Sequence, residues 1–131
     1  LRVRQAFSRH ALALSPNDSV GHAADLTLES FQADFPVCEE GHLVGLLTHT
    51  DLIRALKQHR PDTPVREVMR VEFPTIGLDD ELFAVHRWKA ETGLDALPLI
   101  DEGRFLGLLT RHDVNEVYRL LSVSPELLTR R

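Results

Sequence analysis

The stretch Pro36-Val-Cys-Glu-Glu-Gly-His-Leu-Val-Gly-Leu-Leu-Thr-His-Thr-Asp51 occurs twice, returning 62 positions later as Pro98-Leu-Ile-Asp-Glu-Gly-Arg-Phe-Leu-Gly-Leu-Leu-Thr-Arg-His-Asp113. Eight of the sixteen positions are identical. The register extends without a gap to the start of the chain, where Val3-Arg4 matches Val65-Arg66. A repeat at fixed spacing indicates one duplicated supersecondary unit. Because a unit of about 60 residues buries a poor core alone, we expect the two to pack on each other.

The composition is that of an ordinary globular chain of 131 residues, with 43% hydrophobic and 27% charged residues. The net charge of -5 argues against a general nucleic-acid binder, which usually carries a basic face, but not against a small bound anion. A single cysteine excludes an internal disulfide and fits a reducing compartment. No apolar run approaches the ~18 residues of a membrane span, so we expect no direct membrane insertion by this chain. Because the chain starts at Leu1, we expect a fragment of a longer protein, or a chain that has lost a tag or initiator residue.

Each repeat is predicted to run strand, helix, strand, strand, helix. The predicted strands are 12–14, 35–38 and 43–48 in the first repeat and 75–76, 97–100 and 105–110 in the second. Gly41 is expected to supply a positive φ in the first hairpin turn. Two prolines, Pro61 and Pro64, break the chain between the repeats. The predicted segments are therefore 1–60, 61–121 and a tail, 122–131, with a short helix begun at Ser124.

The predicted helices carry apolar stripes at helical spacing. The stripes are Val20, Ala24, Leu28 and Phe31 in the helix after Ser19; Leu52, Ile53 and Leu56 in the helix over 50–59; and Val114, Val117, Tyr118 and Leu121 in the last helix. The remaining helix is predicted over 79–92. We expect these stripes to face the core.

The motif Gly-Leu-Leu-Thr-x-x-Asp stands in both copies where a strand ends and a helix begins. Its glycine allows another backbone to approach closely. Thr48 and Thr110 fall at a helix N-terminus, where free N–H groups and a hydroxyl can hold a phosphate. Asp51 and Asp113 lie in the first turn and can accept hydrogen bonds from a ribose diol. The same residue types are also ordinary helix caps, and the local pattern leaves both interpretations open.

The repeat, the strands Phe35-Pro36-Val37 and Leu97-Pro98-Leu99, and both motif copies resemble a tandem pair of CBS domains, the Bateman module. Val65-Arg-Glu-Val-Met69 resembles the usual opening of such a repeat, and Val3-Arg-Gln-Ala-Phe7 matches it. The resemblance covers residues 3 to about 121. It implies an α+β fold of two tandem β-α-β-β-α CBS repeats packed with pseudo-twofold symmetry. Such modules often dimerise and hold adenosine-type ligands in clefts between the repeats.

Carried over by motif, the resemblance implies that the two aspartates hold ribose and the two threonines face phosphate. The residues implied to line the adenine pockets are Phe35, Pro36, Val37, Leu97, Pro98 and Leu99. The family's first strand often ends in threonine or serine, which is Thr75 in the second repeat but Ala13 in the first. Arg111 would add permanent charge near a phosphate if it points inward. We therefore favour a site containing Thr75, Thr110 and Asp113, in one pocket or split between two.

We expect a regulatory module that senses AMP, ADP, ATP or S-adenosylmethionine and controls an attached or partner effector. The alternative is a dimerisation scaffold with empty or degenerate clefts, which the lost hydroxyl at Ala13 favours. No cofactor is expected to be required, and catalysis lacks a supporting constellation. The seven histidines form no His-Glu-x-x-His pattern, so no metal site is expected.

The resemblance further implies a homodimer located in the cytoplasm. As an alternative within the same resemblance, the module would be the cytosolic part of a membrane protein, for example the regulatory part of a site-2-type metalloprotease. The metal-binding helices of such a protease would lie outside this chain.

Overall fold

The computed structural model describes residues 1–126, apart from the side chains of His86 and Lys89. The described helices are α1 (Val20–Ser30), α2 (His49–Gln58), α3 (Leu82–Thr92) and α4 (Arg111–Val123). The described strands are β1 (Phe35–Glu39), β2 (His42–Leu47), β3 (Ala96–Asp101) and β4 (Arg104–Thr110). Short 3-10 turns lie at Val3–Gln5 and Val65–Glu67. The predicted α+β class is confirmed, and the described helices and hairpin strands follow one another in the predicted order.

Both predicted hairpins are present. β1 pairs antiparallel with β2, with Phe35 opposite Leu47, and β3 pairs with β4. Gly41 has the expected positive φ of 81°, and the preceding Glu40 also lies in the left-handed region at 52°. Two successive left-handed residues twist a two-residue turn to match its flanking strands, which is why glycine is favoured there.

The predicted first strand of each repeat is reduced to a single parallel bridge. Leu14 bridges Val37, and Ile76 bridges Leu99. The segment that contains Leu14 then leaves β1, because the Asp18 carboxylate accepts a hydrogen bond from Ser15 N at 2.8 Å and closes a turn. Asp80 closes the equivalent turn in the second repeat by accepting from Gly77 N at 2.8 Å.

The apolar stripe predicted for α1 is wrong in its second half. Val20 and Ala23 are buried, whereas Leu28 and Phe31 are 76% and 90% exposed. The helix ends at Ser30, and Phe31 is its C-cap with a left-handed φ of 61°. A left-handed cap leaves the helical register, so the side chain of Phe31 no longer continues the buried face.

The buried face of α2 is also rotated from the prediction. Leu52 is buried as expected, but Asp51 and Ala55 complete the face, and Ile53 and Leu56 remain about 40% and 39% exposed. In α4, Val114 is buried, while Tyr118 is half-exposed and stacks on Phe83 with ring centroids 5.0 Å apart. The helix predicted from Ser124 lies largely outside the described residues.

The described chain divides into two compact units, and each unit combines parts of both repeats. The first-repeat unit comprises Ala11–Phe73 and Gly103–Phe105. The second-repeat unit comprises Leu1–His10, Pro74–Glu102 and residues 106–126. The opening segment of each repeat comprises residues 1–10 in the first repeat and 61–73 in the second. Each opening segment is therefore packed in the unit that contains most of the other repeat. The boundaries at 60 and 121 describe the duplication, not these spatial units.

Each opening segment contributes a valine to a core and an edge pairing to a hairpin. Val3 is fully buried in the core of the second-repeat unit, and Val65 in that of the first-repeat unit. Ser8 exchanges two backbone hydrogen bonds with Leu108 of β4, at 2.8 and 3.1 Å. Arg70 does the same with Leu46 of β2, at 3.0 and 2.9 Å.

The motif glycines are the points at which the opening segments touch the hairpins. A Cβ atom on Gly107 would overlap the carbonyl oxygen of Ser8, and one on Gly45 would overlap the side chain of Met69. The expected close approach of another backbone is confirmed at Gly107, whereas at Gly45 the approaching group is the side chain of Met69. The approaching backbone at Gly107 is an edge-paired segment that cannot move aside cheaply.

We predict that Gly107→Ala lowers the free energy of unfolding by about 1–3 kcal/mol, because the added methyl overpacks against the Ser8 carbonyl. Urea unfolding at neutral pH measures the change. Gly77→Ala is the matched control, since its Cβ would meet only the Asp80 carboxylate at 3.9 Å. The control should change the stability by less than about 1 kcal/mol. Equal stabilities for the two variants would contradict the close-approach explanation.

Candidate functional site

The threonine of each motif is the N-cap of the helix that follows. Thr48 stands between β2 and α2 with extended backbone angles, and its hydroxyl oxygen accepts a hydrogen bond from Asp51 N at 3.1 Å. Thr110 caps α4 in the same way, accepting from Asp113 N at 3.1 Å. The capping interpretation is therefore confirmed for both threonines. Each cap holds the aspartate three residues later in a fixed position at the helix N-terminus.

Asp51 is a buried carboxylate surrounded by arginines. Arg70 Nε donates to its Oδ2 at 2.7 Å, and Arg54 Nη1 donates to its Oδ1 at 3.2 Å. Arg70 Nη2 also approaches Oδ1 at 3.4 Å. Burial alone would raise the pKa of Asp51, but hydrogen bonds from Arg70 and Thr48 outweigh it and hold the pKa below its usual value. The carboxylate is thus ionised and bonded through both oxygens.

Asp113 occupies the equivalent position with different partners. Its Oδ2 accepts hydrogen bonds from Thr110 N and from the Thr110 hydroxyl, both at 2.9 Å, which forms a reciprocal capping box. Within residues 1–126, no side chain or backbone group donates a hydrogen bond to its Oδ1. Asp113 is partly exposed. One carboxylate oxygen therefore remains available as an acceptor.

Thr75 lies beside β3 in the second-repeat unit. The next residue, Ile76, donates its N–H to the carbonyl of Pro98 at 3.0 Å and so ties this segment to β3. Thr75 is exposed, as is its counterpart Ala13. The hydroxyl that distinguishes the repeats is therefore accessible.

The strand residues predicted to line adenine pockets are buried. Phe35 and Val37 belong to the core of the first-repeat unit, and Leu97 and Leu99 to the core of the second. Pro36 and Pro98, which alternate with them along the strands, are buried as well. Their role in a pocket stays a prediction.

Arg111 is engaged with a carboxylate on its own unit. Its Nη2 lies 2.5 Å from Asp95 Oδ1, and its backbone N–H donates to the Asp95 carbonyl at 3.0 Å. The side chain is mostly exposed. The Arg111 charge is thus paired with Asp95 and helps to join the start of α4 to the segment before β3.

The structure assigns the predicted residues to two separate groups. Thr75, Thr110 and Asp113 belong to the second-repeat unit, and Thr48 and Asp51 to the first-repeat unit. Sequence reasoning missed Arg70, although aligning the repeats pairs it with Ser8 and exposes the difference. Arg54 also follows Asp51 by three residues on one helix, a spacing that favours an ion pair.

The described residues contain neither a cluster of metal-binding side chains nor a helix able to cross a membrane. In the part of the chain that the structure describes, no group of three or more His, Cys, Asp or Glu side chains is placed to hold a metal ion. None of the described helices combines the length and apolar character that crossing a bilayer requires.

We predict that Arg70→Ser lowers the free energy of unfolding at pH 7 by about 1–3 kcal/mol, because Asp51 stays buried without its main partner. A carboxyl with a lowered folded-state pKa stabilises the fold above its unfolded pKa of about 3.9, and this contribution disappears as the pH falls through the folded pKa. The difference between the variant and the parent should therefore shrink between pH 5 and about pH 2. Urea unfolding at several pH values measures it.

Arg4→Ser is the matched control for this experiment. Arg4 pairs with Asp79 at 2.6 Å, but both side chains are at least half exposed. Exposed ion pairs contribute about 0–1 kcal/mol, so the control should be nearly neutral at every pH. A pH-independent effect of Arg70→Ser would show that the ion pair with Asp51 is not its source.

Comparison with known proteins connects these features to one family. The model of the CBS domain matches residues 3–58 and again residues 61–119. The CBS domain-containing protein YhcV of Bacillus subtilis is 31% identical over 120 residues, covering 86% of this chain and 81% of that protein. The magnesium transporter MgtE of Thermus thermophilus is 36% identical over 84 residues, covering 63% of this chain but 18% of the transporter. The chain also spans less than half the length of several Methanocaldococcus jannaschii relatives.

Two solved structures with similar folds contain adenosine compounds. The CBS domain pair of protein MJ0100, in complex with 5′-methylthioadenosine and S-adenosyl-L-methionine, superposes with a TM-score of 0.82. It is 23% identical, and the match covers 90% of this chain and 99% of that one. The structure of CBSX2 in complex with AMP has a TM-score of 0.83 at 22% identity, covering 92% and 98%. At these identities the likeness concerns the fold.

Proposed function

The chain belongs to the CBS domain family as a tandem pair of CBS domains, and from this premise we propose that it is a regulatory module that binds an adenosine-type ligand. CBS domain pairs are regulatory rather than catalytic modules. The ligand would be AMP, ADP, ATP or S-adenosylmethionine. The effector would be an attached domain or a partner protein, in the way that a matching segment occurs within the MgtE transporter.

The observation that carries this proposal is the open carboxylate oxygen of Asp113. Oδ2 is held by Thr110, which orients the group, while Oδ1 is left without a donor among the described residues. A carboxylate with a free oxygen at a helix N-terminus suits a diol hydroxyl, because the ionised group accepts but does not donate hydrogen bonds. The capping role and a ribose-binding role are therefore compatible, since each uses a different oxygen.

The surroundings of Asp113 also offer a place for an anionic group. The N-terminus of α4 favours negative charge, and two of its first N–H groups, those of Arg111 and Asp113, already donate to the Asp95 carbonyl and the Thr110 hydroxyl. Thr75 presents its hydroxyl in the same unit. The charge preference of the helix N-terminus supports a nucleotide over an uncharged nucleoside.

A physical route from ligand to effector follows from the packing of the opening segment. Ser8 forms backbone hydrogen bonds with Leu108, and Phe7 and Ser8 lie close against Gly107. Segment 1–10 therefore contacts the motif that would hold the ligand. We expect a ligand at Asp113 to favour one arrangement of this segment. A ligand shifts such an equilibrium only by its difference in affinity for the two arrangements.

A dimerisation scaffold is the second candidate. The first motif favours it, because both oxygens of Asp51 are already bonded to arginines and Ala13 lacks a hydroxyl. If the second motif were equally unable to bind, the module would serve only to hold chains together.

We predict saturable binding of at least one of AMP, ADP, ATP and S-adenosylmethionine in calorimetric titrations of the purified chain. Asp113→Asn should weaken that binding about 5- to 150-fold, which corresponds to the about 1–3 kcal/mol of a lost hydrogen bond to a charged group. The variant should stay folded, because the asparagine oxygen can still accept from Thr110.

Asp62→Asn is the control for the change of charge. Asp62 is exposed and pairs loosely with Arg60 at 3.5 Å, away from either motif in sequence. It should bind like the parent chain. Absence of heat and of any thermal shift with all four compounds would overturn the sensor proposal and favour the scaffold, since a ligand that binds the folded state raises its apparent stability.

A further inference from the structure

The two motif copies share their glycine, leucines, threonine and aspartate, but not the charge around their aspartates. At Asp51, Arg70 and Arg54 supply two cations within 2.7 and 3.2 Å of the carboxylate oxygens. Stepping 62 positions along the repeat, the residue equivalent to Arg70 is Ser8 and the residue equivalent to Arg54 is Glu116. Asp113 therefore has neither cation, and a carboxylate stands one helical turn away instead.

Backbone pairing of its own segment places Arg70 beside Asp51. Its N–H and carbonyl pair with Leu46 at the edge of β2, as those of Ser8 pair with Leu108 at the edge of β4. The two backbones are thus held alike, and the side chains alone differ. Asp51 in turn holds the pKa of Arg70 above its usual value through their hydrogen bond.

An ion pair of this kind disfavours the binding of a neutral diol to the carboxylate. Hydrogen bonds between two charged groups are roughly twice as strong as those between neutral groups. A ribose hydroxyl would compete with Arg70 and Arg54 for a carboxylate that is buried and already accepts from an arginine through each oxygen. The first motif is therefore satisfied internally before any ligand arrives.

We propose that Arg70 closes the first motif, so that Asp51 is an internal counter-ion and the module takes up one adenosine-type ligand per chain, at Asp113. The proposal deepens the function proposed above and rests on it for the class of ligand. Arg70 thereby sets the number of ligands that one chain binds. The two motifs of the duplicated module thus differ in ligand binding because of the Arg70 side chain, which lies outside the motif.

The test exchanges the residues that distinguish the two copies. Calorimetric titrations with AMP, and separately with S-adenosylmethionine, are made on the parent chain, Arg70→Ser and Ser8→Arg. We expect one site per parent chain and two sites in Arg70→Ser, with the added site lost on adding Asp51→Asn. We expect Ser8→Arg to abolish binding, because its guanidinium would reach Asp113 as Arg70 reaches Asp51.

Arg66→Ser is the matched control. Arg66 lies in the same opening segment as Arg70, but its side chain contacts Asn17 instead of Asp51. It should retain one site. If Arg70→Ser does not fold, Ser8→Arg alone decides: undiminished binding by that variant overturns the closure, and loss of binding by the folded variant supports it.

The remaining outcomes separate this inference from the proposed function. Two sites in the parent chain, or one site that persists unchanged in Arg70→Ser, would overturn the closure while leaving the sensor intact. Binding by Arg70→Ser but not by the parent would support the closure and overturn the sensor role of Asp113. Absence of binding by both proteins would overturn both proposals.

Discussion

The exchange of opening segments is the constraint on which the rest of the structure depends. Val3 and Val65 each fill the core of the unit built on the other repeat, and Ser8 and Arg70 each complete the edge of the other repeat's hairpin. Full burial of a valine contributes about 1.5–3 kcal/mol, which neither unit would recover from its own repeat. Small units rarely bury enough apolar surface by themselves, so this exchange explains why the duplicated sequence folds as a pair.

The motif at the strand–helix junction combines three roles in seven residues. Its glycine admits the exchanged segment, its threonine caps the helix, and its aspartate is held at the helix N-terminus by that cap. At Asp113, where no arginine is paired with the carboxylate, the same geometry leaves one oxygen without a donor among the described residues. Structural capping and ligand binding are therefore not competing explanations, because they use different atoms of one side chain.

Divergence between the copies is concentrated outside the motif. One opening segment brings Arg70 to Asp51, whereas the other has Ser8 at the equivalent position, so the two motifs acquire different electrostatic settings. The two copies share the local pattern, but the opening segment places a different residue beside each copy. Burial magnifies the change, because Asp51 lies where an unpaired charge would be costly and a paired one is retained.

The order of elements, both hairpins, the helix caps and the need for glycine were predictable from the sequence, because turns, caps and close approaches depend on neighbours in the chain. The buried faces of α1 and α2 were not, since Phe31 leaves the helix as a left-handed cap and Asp51 turns inward to meet Arg70. The motif and its residues were likewise visible in the sequence. Only the tertiary structure decided that each opening segment joins the other repeat's unit, and hence that Arg70, 19 positions from Asp51, pairs with its carboxylate, whereas the equivalent position in the other copy is Ser8.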